Sequence, residues 1–197
     1  GAKEKLRLTP PAIFLILLGF TTSTTFMLWM NCNQELGTLY GLAGPSRAQS
    51  FYSVGIVAAL FVNAALLARK VRPVNILIAY PTAALVSLGA IYLVQKPYMV
   101  LAGGLLIGFF GAGGVLQLVV AVANELFPKH RGVITSIVMI ASSAANYAMV
   151  SLAGFLTRVG GGNGPRLVLL LNMAMTLLGI VLAVILKRKQ TRGSAQE

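Results

Sequence analysis

Thr22, Thr25, Trp29 and Asn33 fall on one helical stripe, and Thr25 closes the hydroxyl run Thr21-Thr22-Ser23-Thr24-Thr25. Gln117 and Asn146 are carboxamides inside two other apolar runs. Such groups donate and accept hydrogen bonds without changing protonation state, and an indole adds an apolar face. Together they suit a neutral or weakly polar solute. They do not suit acid–base or metal chemistry. No carboxylate or histidine lies inside any of the apolar runs set out below, Asp is absent, and the lone histidine, His130, sits in a basic segment. A serine nucleophile would find no base there to activate it. The expectation is therefore no enzyme, no catalytic residue, no metal and no cofactor. Each candidate also has a plainer reading. The hydroxyls can bond back to their own helix, and Trp29 can anchor at a membrane interface. The two amides can bond across helices instead of lining a solute path. Cys32, the single cysteine, reads as a small packing residue.

The elements that carry these residues are apolar to an extent that excludes a soluble domain. Of 197 residues 57% are hydrophobic and 10% charged, against about 25% charged in soluble domains. The mean hydropathy is +0.82. Six uncharged apolar runs are long enough to cross a bilayer, at about 11–30, 48–68, 73–95, 97–124, 133–157 and 167–186. The pattern predicts an all-α integral membrane protein with six transmembrane helices. A short leader, 1–10, would precede them and a basic tail, 187–197, would follow. Prolines open runs one, three and four, where a missing N–H costs nothing; Pro81 lies inside run three and is expected to bend it.

The formal charge of +12 does not indicate nucleic-acid binding, because the cations cluster between the apolar runs. Twelve of the sixteen (Lys3, Lys5, Arg7, Arg69, Lys70, Arg72, Lys129, Arg131, Lys187, Arg188, Lys189 and Arg192) fall on one side of the predicted topology. Arg47, Lys96, Arg158 and Arg166 fall on the other. The positive-inside rule then places both termini in the cytoplasm, in a cell or inner membrane. Run one is too long for a signal-peptide core, and no small-residue cleavage site follows it.

Polarity sorts the runs. Runs three and six are the least polar and are expected against lipid, the other four inside. In run two, Tyr52, Gly55, Ala59 and Asn63 share a face. In run four, Gly104, Gly108 and Gly111 form a small-residue packing row, with Gln117, Gly113 and Asn124 roughly opposite. Gly55, Ala58, Ala59, Ser142, Ala144 and Ala145 are expected to present small residues to a further helical unit.

The segment joining runs four and five, Asn124-Glu125-Leu126-Phe127-Pro128-Lys129-His130-Arg131-Gly132, resembles a cytoplasmic signature of the major facilitator superfamily. The signature elements are Glu125, Pro128, Arg131 and Gly132, and Glu125 is expected to pair with Lys129 or Arg131. Arg69-Lys70-Val71-Arg72-Pro73 resembles a degraded form of the Gly…Asp-Arg…Gly-Arg-Arg loop, without its acid and with Asn63 in place of the leading glycine. The resemblance spans the chain and implies one six-helix half of a secondary transporter, the C-terminal half, built as a 3+3 inverted repeat. It implies that helices one and four line a cavity, two and five meet the other half, and three and six face lipid. The implied partners are an unidentified small-molecule substrate, the bilayer, and the other half or a second copy. A six-helix scaffold that does not transport is the alternative.

Overall fold

The computed structural model describes residues 6–195. Lys3 and Lys5 of the leader, and Gln196 and Glu197 of the tail, lie outside the described residues. The described chain is all helical: α1 (Pro10–Leu39), α2 (Arg47–Ala68), α3 (Pro73–Leu93), α4 (Pro97–Ile107), a π-helical turn (Gly108–Ala112), α5 (Val115–Leu126), α6 (Arg131–Gly160), a 3₁₀ turn (Gly161–Asn163) and α7 (Gly164–Ser194). Five helical stretches are long and apolar enough to cross a membrane; α4 to α5 count as one, and so does the 64-residue run from Arg131 to Ser194.

Local chemistry explains most helix ends. Prolines occupy the first turn of α1, α3, α4 and α7, where an N–H has no intrahelical partner. At the end of α2, Val71 N–H bonds Leu66 O and Lys70 N–H bonds Leu67 O. This is the Schellman pattern, with Lys70 at φ 60° in the left-handed position that glycine usually fills. The helix α3 continues through Pro81 without interruption.

Three helices depart from the apolar runs, α7 by continuing to Ser194 through most of the predicted basic tail, 187–197. α1 extends to Leu39, well past the run ending at Met30, so Asn31, Asn33 and Glu35 are helical. Hydropathy falls there and Asn, Cys and Gly are weak helix formers; burial of Cys32, Asn33, Leu36 and Gly37 against the bundle holds the extension. Run four is not one regular helix. It relaxes into π-helix at Gly108–Ala112, breaks at Gly113, and restarts after Gly114 at φ 78°. The sequence Gly111-Ala112-Gly113-Gly114 permits this break, because only glycine enters the left-handed region without strain.

α1 is the central helix. It runs parallel to α6, with Gly19 against Val138 and Ser23 against Ser142, and antiparallel to α7. α2 runs parallel to α4, with Ala48 against Gly104 and Tyr52 against Gly108. α7 folds back along α6 after Gly161 (φ 53°), bringing Gly164 onto Thr157 and Leu167 onto Gly160. One apolar core surrounds Leu15, Leu77, Tyr80, Val119, Ile134 and Leu186. A second surrounds Trp29, Leu36, Leu88, Ile91, Val100 and Leu169.

Burial corrects the sorting of the runs. α1 and the α4–α5 stretch are the most enclosed, as expected. α2 is the least: 22% of its most apolar window is buried, against 56% for α1. The stripe Tyr52, Gly55, Ala59 and Asn63 is buried, but against α4 and the π turn, so Gly55 and Ala59 are not free to meet another unit. Ala145 and Ser142 are likewise buried, whereas Ala58 and Ala144 are exposed.

Candidate functional site

The hydroxyl run of α1 lies wholly inside the bundle; Thr21 to Thr25 are all buried. Apolar surroundings require each hydroxyl to find an acceptor. Thr22 and Thr24 donate to the carbonyls of Leu18 and Phe20 at 2.6 and 2.9 Å. Ser23 Oγ lies 2.6 Å from Ser142 Oγ of α6. Thr25 and Thr176 share a hydrogen bond of 2.9 Å, and Thr176 in turn donates to Asn172 Oδ1 at 3.2 Å. Asn172 Nδ2 donates to Thr25 O at 3.0 Å. These bonds tie α1 to α6 and α7 between the two apolar cores.

Trp29 and Asn33 continue the same stripe and are fully buried. The Trp29 ring lies against Gly104, where a Cβ would approach within 3.5 Å. Asn33 Nδ2 donates to Gln49 Oε1 of α2 at 3.0 Å. Trp29 Nε1 and Asn33 Oδ1 have no partner. At this end of the bundle the Tyr40 hydroxyl donates to Ile91 O at 3.0 Å, and Arg166 donates to Tyr92 O at 2.9 Å while stacking on the Tyr92 ring. Burial raises the Tyr40 phenol above its ordinary pKa, with Arg166 partly offsetting the rise.

Gln117 and Asn146 are placed differently: both are exposed. A hydrogen bond of 3.1 Å from Thr135 Oγ1 to Asn124 Oδ1 closes the seam between α5 and α6. Gln117 is seven residues before Asn124 and Asn146 eleven after Thr135, so each returns to the stripe of its own helix that faces this bond. At 1.5 Å per residue, the amides sit about 10 and 16 Å deeper than the Asn124–Thr135 pair. The structure therefore separates the five candidates into three buried groups and two exposed amides, Gln117 on α5 and Asn146 on α6.

In the loop, His130 N–H bonds Phe127 O at 3.0 Å, Pro128 and Lys129 form the turn, and Arg131 opens α6. Glu125 lines a cavity with Lys70, Arg72 and Gln190. Gly132 has open space around it. Of the glycine row, Gly104 and Gly108 face the α2 backbone at Ala48 and Tyr52, and Gly111 faces Thr25 of α1.

Sequence reasoning passed over the break in run four. Asn63 Nδ2 donates to Gly113 O at 2.6 Å, and Asn63 Oδ1 is left buried without a partner. Tyr80, with its hydroxyl also unpartnered, packs against Phe109 and Phe110 of the π turn. The adjacent glycines at 113 and 114 were the available signal.

The profile of the Major Facilitator Superfamily matches residues 11–197. The chain is 33% identical over 178 residues to the inner membrane transport protein YdiN of Escherichia coli (strain K12), covering 86% of this chain and 40% of that protein. It is 34% identical over 152 residues to the uncharacterized MFS-type transporter YfkL of Bacillus subtilis (strain 168), covering 75% and 38%. With the E. coli inner membrane transport protein YdiM it shares 28% identity over 184 residues, covering 89% and 44%. The chain thus spans about two-fifths of the length of the curated relatives it matches. No solved structure matches it. The relatives are named as transport proteins rather than enzymes, the matched region is a set of apolar helices able to cross a membrane, and the chain is a membrane protein of the Major Facilitator Superfamily.

Proposed function

We propose that this chain is the C-terminal six-helix half of a secondary transporter that moves a small, neutral or weakly polar solute by alternating access. The 64-residue run would be about 96 Å long if straight, roughly three times the hydrocarbon thickness. Its fold at Gly161 supports two crossings instead of one, and six in all. The packing supports an inverted repeat: α1 runs parallel to α6 as the fourth span runs parallel to α2, and α3 packs against α7. The clustering of cations at one end supports cytoplasmic termini in a cell or inner membrane.

The observation that supports the solute path is the exposure of both amides, which helical spacing assigns to the α5–α6 seam. In hydrocarbon an amide without a partner is costly, so Gln117 and Asn146 must meet water, solute or protein. The first helix would then act mainly from behind. Thr25, Trp29 and Asn33 fix its rotation through α7, Gly104 and Gln49, while the wide exposed faces of α2 and α6 meet the other half. The test is transport by the full-length protein. Gln117→Leu and Asn146→Leu should each cut uptake of its solute at least tenfold while membrane protein levels stay near normal. Uptake unchanged at normal levels would remove both amides from the path, and absence of any transport would favour the six-helix scaffold.

A further inference from the structure

At the basic end of the bundle two cavities adjoin. One, about 320 Å³, lies between the α2–α3 turn, α5 and α7, and is lined by Lys70, Arg72, Glu125 and Gln190 with an apolar wall of Leu67 and Val122. The other, about 370 Å³, lies between the starts of α1 and α3 and the end of α7; Arg72, Lys189 and Gln190 line it with Pro11, Leu126 and Leu186. Arg72 Nη2 donates to Gln190 Oε1 at 3.3 Å, so this pair forms the shared rim. Lys189 lies over the Phe14 ring at 5.4 Å.

Lys70 adds an independent observation. It holds the left-handed position of the Schellman turn, at φ 60°, where a side chain costs about 1 kcal/mol relative to glycine. Backbone geometry alone favours glycine there; a lysine places a cation on the cavity.

We infer that these cavities form a site for the phosphodiester headgroup of an anionic lipid of the phosphatidylglycerol type. Lys70, Arg72 and Lys189 face the phosphate. The glycerol hydroxyls donate to Glu125, the one carboxylate of the lining. The apolar walls give the acyl chains a route to the bilayer, which a free phosphate would not use. Basic pockets between helices at a membrane boundary bind anionic headgroups in this way. The site lies at the basic end of the bundle, where α5 contributes Val122, Glu125 and Leu126, and does not depend on the solute.

The test uses the full-length protein in nanodiscs of equal phosphatidylglycerol and phosphatidylcholine, with lipid retained on extraction counted by native mass spectrometry. The intact protein should retain phosphatidylglycerol selectively. Lys70→Gly and Arg72→Gln should each weaken retention about fivefold, and Lys96→Gln at the opposite end should leave it unchanged. Lys70→Gly should fold at least as well as the parent, because glycine suits the turn. Equal retention of both lipids would overturn the inference. So would equal loss with Lys96→Gln, or water-soluble glycerol phosphate competing at the same concentration as the lipid, which would mark a site for a soluble anion.

Discussion

Glycines in this bundle differ in what they contribute, and surrounding atoms decide which tolerate a side chain. A Cβ at Gly108 would overlap the carbonyl of Tyr52, and one at Gly55 would overlap that of Leu105. Backbone cannot move aside as a flexible side chain can, so Gly108→Ala should destabilise by about 1–3 kcal/mol or displace α2. Gly132→Ala has open space and a helical backbone, and should shift the melting temperature by no more than about 2 °C in either direction. Equal effects of the two substitutions would contradict the close α2–α4 approach. Asn63 acts at the same scale. Replacing it with Leu leaves Gly113 O buried without a donor and should cost about 1–3 kcal/mol, read as earlier thermal unfolding. Legibility at this scale was uneven. The stripe of Tyr52, Gly55, Ala59 and Asn63 was evident from spacing, because burial follows helical period. That Asn63 reaches a broken backbone was not, because the acceptor lies fifty residues away in sequence.

Among the elements, α1 shows why polarity and exposure part company in a membrane helix. Its hydroxyls form the most polar stretch within any apolar run and are also buried, because bonds to the helix's own carbonyls and across to α6 and α7 are an alternative to water. The Ser23–Ser142 pair should therefore couple. In a double-mutant cycle with Ala, the interaction between the sites should be about 0.6 kcal/mol, with additivity expected for Ser23 and the distant Ser151. Full additivity of Ser23 and Ser142 would contradict their contact. Runs of uncharged residues gave the existence of the spans; their ends were harder to read. α1 continues through Asn31, Asn33 and Glu35, where hydropathy stops being informative but helix formation does not. Run four breaks within a stretch of uniform hydropathy, because its glycines change backbone conformation without changing polarity.

For the whole molecule, the arrangement separates a basic end from an end that carries Arg47, Lys96, Arg158 and Arg166. With Cys32→Ala as background, Ala43→Cys and Lys129→Cys should label from opposite faces of sealed cells, Lys129→Cys only from the cytoplasm. Labelling from one face would contradict both the hairpin order and the orientation. The central claim, that the α5–α6 seam lines an aqueous path, is tested most directly by thiol accessibility in the full-length protein. Gln117→Cys and Asn146→Cys should react with a charged, membrane-impermeant thiol reagent, at rates that change when solute is added. Leu177→Cys and Val181→Cys, on the exposed apolar face of α7, should react only with a lipid-soluble reagent. Cysteines at 117 and 146 as inert to the charged reagent as those at 177 and 181 would contradict the account, because the seam would then face lipid or packed protein.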